Sequence, residues 1–91
     1  MNASKQPIDP RTDLEDILGS LQFARRSEDL GRLALLTYWE VRRWARVAHH
    51  EPLAAHAAKV ITEHPHLTRV EFLEIVDGVI EELKTIRSGL H

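Results

Sequence analysis

The sequence predicts an all-α fold: a compact four-helix bundle-like domain over residues 9–91, behind a flexible, disordered N-terminal tail of residues 1–8, assembled as a homodimer. Three observations carry that expectation. Apolar residues recur at spacings of three and four, and no stretch alternates polar and apolar residues for the length of a strand. Caps, prolines and glycines divide this pattern into four segments. In the second segment apolar residues surround almost the whole helix, which implies burial on more than one side.

The first helix is expected over about residues 10–25, with Asp9 as cap and Pro10 in the first turn, where a missing N–H does no harm. Asp13 and Glu15 put negative charge near its N-terminus, and Leu14, Ile17, Leu18, Leu21 and Ala24 form one stripe. Gly19 weakens such a helix by about 1 kcal/mol relative to alanine, so a close helix contact is expected there.

The second helix, about residues 28–49, is the longest expected to cross the core. Ser27 is its expected cap, Glu28 and Asp29 fall in its first turn, and Leu30, Ala34, Thr37, Val41, Trp44 and Ala48 alternate steps of four and three as a packing seam. Within "LALLTYW", residues 33–39, that seam leaves Leu33, Leu35, Leu36, Tyr38 and Trp39 over, and the last four are the expected partner or dimer interface.

Pro52 opens the third helix, which reaches about Glu63 with Leu53, Ala57, Val60 and Ile61 inward. Thr68 and Glu71 then have capping-box spacing, flanked by Leu67 and Phe72 at the staple positions, and mark the start of the fourth helix. Val70, Leu73, Val76, Ile80, Leu83 and Arg87 continue one face to a stop near Gly89.

Composition narrows the functional classes. Hydrophobic residues make up 43% and charged residues 29% of the 91-residue chain, a folded rather than disordered composition. A chain of this length buries only roughly 60–65% of its unfolded surface, so association with another chain adds needed burial. There is no cysteine, which excludes disulfides, thiolate metal sites and thiol catalysis. The opening "MNASKQPID" carries no apolar leader and no later run approaches the ~20 residues of a membrane span, so a soluble cytoplasmic protein is expected.

Net charge is −2, unevenly spread. Residues 25–49 hold six arginines against three acids, and residues 50–91 hold four basic residues against seven acids. Opposite halves of this kind can pair internally or with a second copy. Arg42, Arg43 and Arg46 lie on the second helix beside Trp39, a set that suits an anionic partner; tryptophan and arginine together are also the usual content of a protein-contact hot spot.

The expected function is therefore a small non-enzymatic, protein-binding regulator or adaptor with no cofactor. No nucleophile elbow, glycine-rich phosphate loop or other catalytic spacing is present, and Asp77 beside Gly78 reads as a surface acid. One alternative is a nucleic-acid-associated protein using Arg42, Arg43 and Arg46, against which stand the five acids of the fourth helix and the slightly acidic chain. The other is a metal-binding protein using His64 and His66, two of six histidines; they flank Pro65 at a helix end, where a histidine is favoured without any metal.

Overall fold

The computed structural model describes residues 10–63 and 67–89. The expected tail, and the proposed ligands His64 and His66, lie outside them. Among the described residues there are four helices and no strand. Helix α1 is Pro10–Ser27; α2 runs through Leu30–Leu35, a π-helical stretch Leu36–Val41, and Arg42–Val47; α3 is Glu51–Thr62 and α4 is Arg69–Gly89. Each helix packs on its neighbour in the chain, and α1 closes back onto α4. None of the described helices is long and apolar enough to cross a membrane.

The stripe on α1 is buried as its spacing requires, with Leu14, Ile17, Leu18, Leu21 and Ala24 all in the core. Gly19 is different from expectation: a Cβ built on it meets nothing within 4 Å, so no close helix contact accounts for it. Three ion pairs hold α1 and its exit antiparallel to α4. Glu15 meets Arg87, Arg25 meets Asp77, and Glu28 meets Arg69, so each advance along α1 is matched by a step back along α4. Arg25 grips Asp77 with both Nε, at 2.8 Å, and Nη2, at 3.3 Å. That hydrogen bond holds the Arg25 guanidinium above its ordinary pKa, so the guanidinium remains charged across the neutral and mildly alkaline range.

The turn between α1 and α2 corrects the expected cap. Ser27 ends α1 instead of opening α2, and Glu28 takes a left-handed φ of 52°. The Glu28 N–H donates to the Arg25 carbonyl and the Asp29 N–H to the Ala24 carbonyl, which together satisfy the last carbonyls of α1. Asp29 is then the cap of α2, its carboxylate accepting the Arg32 N–H at 3.2 Å. The end of α2 repeats the device: His49 sits at φ 63°, donating to the Arg46 carbonyl, while the His50 N–H donates to that of Ala45.

The buried row of α2 is Leu33, Thr37, Val41 and Ala45, joined by Trp44. Leu30, Ala34 and Ala48, expected in the seam, are only half-buried. Four-residue steps on a regular α-helix drift about 40° each, roughly 120° over three steps. The π-helical stretch, bonding i→i+5, inserts one residue and takes back about 100° of that drift. A row spaced strictly by four thereby stays on the core from Leu33 to Ala45.

Helix α3 buries Leu53, Ala54, Ala57 and Val60. Ile61, expected inward, is 44% exposed. It borders a hollow of about 450 Å³ whose lining on α2 is Leu30, Gly31 and Ala34. The start of α4 is built as its spacing predicts: the Thr68 N–H donates to Glu71 Oε1 at 2.9 Å, and the Glu71 N–H donates to Thr68 Oγ1 at 3.1 Å. Leu67 and Phe72 are half-buried on the same hollow. The buried face of α4 is Leu73, Val76, Val79, Ile80 and Leu83. Val79 turns the centre of that face away from Val70, which lies on the order of 120° around the helix and is exposed.

Candidate functional site: the outer face of the second helix

The insertion that keeps Leu33 to Ala45 inward also keeps a second row outward. Gly31, Leu35, Trp39, Arg43 and Val47 follow at steps of four, and all are exposed. Three of them are large and apolar, with Leu35 and Trp39 each 61% and Val47 46% exposed. The outer face of a surface helix is normally polar, so three apolar side chains in one row on it are informative where single ones would not be.

The four residues expected to form an interface divide into two pairs. Leu36 and Tyr38 are half-buried and pack against the core, whereas Leu35 and Trp39 stand in solvent. The wide apolar circumference of "LALLTYW" is therefore covered from inside except for those two side chains. Trp39 is not loose: its indole meets the Tyr38 ring edge to face, at 5.3 Å between centroids and 86° between planes. The other side of the arrangement is cationic, with the Arg42 guanidinium 4.6 Å from the centre of the Tyr38 ring. Trp39, Tyr38 and Arg42 thus form a ladder whose members position one another.

The three arginines are not equivalent. Arg43 pairs with Glu40 at 3.1 Å, an i,i+3 contact within the helix. Among the described residues Arg42 has the Tyr38 ring and no carboxylate, and Arg46 is exposed with no acid within ion-pair distance. None of these arginines pairs with an acid of α4; Asp77, Glu82 and Glu81 of that helix meet Arg25, His56 and Lys84 instead. Tyr38, Trp39, Arg42, Arg43, Arg46 and Val47 together line a hollow of about 360 Å³. Tyr38, Arg42 and Arg46 also line a second hollow, about 280 Å³, with Glu51, Ala54, Ala55 and Ala58 of α3.

The described histidines each have a local role. His49 supplies the left-handed corner after α2, His50 stacks on Trp44 with ring centroids 5.6 Å apart, and His56 Nδ1 lies 2.5 Å from Glu82 Oε2. No group of three or more metal-ligating side chains occurs among the described residues. The signal missed in the sequence was the spacing by exactly four that runs on both faces of α2, since a regular α-helix cannot keep either row in place. No protein-family model matches the chain, and neither a curated protein nor a solved structure matches it.

Proposed function

We propose that this protein is a small non-enzymatic binding module that docks other protein chains on the outer face of α2 and pairs there with a second copy of itself. The observation that carries the reading is the exposure of Leu35 and Trp39 one turn apart, 61% each, on a helix whose opposite face, Leu33, Thr37, Val41 and Ala45, is already packed in the core. Covering a tryptophan and a leucine removes apolar surface from water at roughly 25 cal/mol per Å². Because Tyr38 already orients the indole, little side-chain freedom remains to be lost on binding. Tryptophan and arginine in one patch are the residues that dominate measured contact energies.

Light scattering over a concentration series tests the pairing. The expected mass is twice the 10.4 kDa of the chain, and Trp39→Glu is expected to be a monomer with an unchanged helical circular-dichroism spectrum. A monomeric parent at high concentration would remove the self-association, and a Trp39→Glu variant that unfolds would place Trp39 in the support of the fold instead of at a contact.

A further inference from the structure

The same face has a chemically distinct end, and we infer that its basic half, from Trp39 to Val47, takes an acidic protein segment that carries an apolar anchor. This inference rests on the reading of α2 as a docking face and adds the chemistry of the occupant. Two features of the hollow lined by Tyr38, Trp39, Arg42, Arg43, Arg46 and Val47 specify it. The first is charge. The ion pairs of α4 engage Arg25, Arg69, Arg87, His56 and Lys84, and Glu40 engages Arg43, so Arg42 and Arg46 have no carboxylate partner among the described residues. They stand one turn apart on one side of the hollow, a spacing that suits two carboxylates on a bound segment.

The second feature is the apolar wall. Trp39 and Val47 are both exposed at the hollow, and the Trp39 indole is held by Tyr38, which Arg42 in turn covers. A purely anionic ligand would leave that wall wet, and a purely apolar one would desolvate Arg42 and Arg46 without a counter-charge. An acidic segment with a leucine or aromatic side chain satisfies both. A nucleic acid fits less well, because the exposed row continues from Trp39 into Leu35 rather than into further cations.

Fluorescence polarisation at protein concentrations at which light scattering reads the monomer, so that a second copy does not cover Trp39, decides between three labelled probes: a random glutamate–tyrosine copolymer, polyglutamate without tyrosine, and single-stranded DNA. The copolymer is expected to bind most tightly, to weaken with added salt, and to lose about tenfold in affinity with Arg42→Gln combined with Arg46→Gln. Arg26→Gln with Arg32→Gln, two exposed arginines outside the hollow, is the control for charge alone and is expected to bind as the parent does. The proposal is overturned if the copolymer does not bind, if polyglutamate binds equally well, if both double variants lose the same affinity, or if the DNA binds more tightly. The probes leave Leu35 and Trp39 unaltered. A dimeric mass sensitive to Trp39→Glu but with no copolymer binding therefore overturns the acidic occupant alone, while a monomeric mass with no probe bound removes the docking face as well.

Discussion

The imidazole of His56 on α3 occupies the space that a side chain would fill at Gly78 on α4. A Cβ built on Gly78 would lie 2.9 Å from His56 Cε1 and 3.4 Å from Nε2, while Nδ1 of the same ring is 2.5 Å from Glu82. Gly78 is thus the glycine that a helix contact requires, and Gly19, where one was expected, has open space around it.

The two glycines should respond oppositely to alanine. Gly19→Ala is expected to stabilise by about 0.5–1 kcal/mol, since it adds helix propensity and meets no atom. Gly78→Ala gains the same propensity but pushes His56 from Glu82, and overpacking of this kind costs about 1–3 kcal/mol. Urea unfolding of both variants checks the pair; equal stabilisation by both would show that His56 yields without loss.

Thr37 is fully buried in the π-helical stretch, and its Oγ1 has no hydrogen-bond partner among the described residues. Thr37→Val keeps the branched shape and removes the buried hydroxyl, so it is expected to raise stability by about 1 kcal/mol. Hydrogen exchange of the α2 amides would show whether the stretch itself is strengthened. A destabilised variant would mean that the hydroxyl has a partner that holds the turn.

His49 is exposed and takes a left-handed φ of 63°, a conformation that glycine adopts without the strain a Cβ brings. His49→Gly is therefore expected to be neutral or stabilising by up to about 1 kcal/mol, read as a small rise in melting temperature. Glu28 has the same conformation, but Glu28→Gly also removes the pair with Arg69 and should gain less. A larger gain at Glu28 would show that this ion pair contributes nothing.

The Arg25–Asp77 pair has a defined pH signature on the alkaline side. The guanidinium is held above its ordinary pKa by the Asp77 hydrogen bond, so its contribution is fully present below the unfolded-state value and is lost only as pH rises through the folded one. Both lie far above neutrality. Arg25→Gln should accordingly lower stability by no more than about 1 kcal/mol, equally at pH ~7 and ~9, and less in high salt. A deficit that differs between those two pH values would assign the effect to another group.

Much of this fold was legible in particular residues. The Thr68 and Glu71 capping box, the stripe from Leu14 to Ala24, and the core of α4 from Leu73 to Leu83 all follow from local spacing, because caps and apolar faces involve residues three or four apart on one helix. The candidate site was legible in part. Trp39 and the arginines stood out by type, but nothing local separates Leu35, which is exposed, from Leu36, which packs inward. Spacing does favour Arg43 with Glu40, three apart, and Arg42 with Tyr38, four apart, but it could not show that Asp77, Glu81 and Glu82 of α4 engage Arg25, Lys84 and His56 instead of these arginines.

Taken alone, the sequence determined that the chain is helical, where most helices start and stop, and which side chains form the greater part of the core, all consequences of short-range periodicity and capping chemistry. Tertiary packing decided the rest. Whether residues 36–41 close i→i+4 or i→i+5 bonds depends on which arrangement keeps Leu33, Thr37, Val41 and Ala45 against α1 and α3 together, and that choice alone turns Leu35, Trp39 and Val47 to the outside. The orientation of the candidate site is thus a result of contacts made on the opposite face of the same helix.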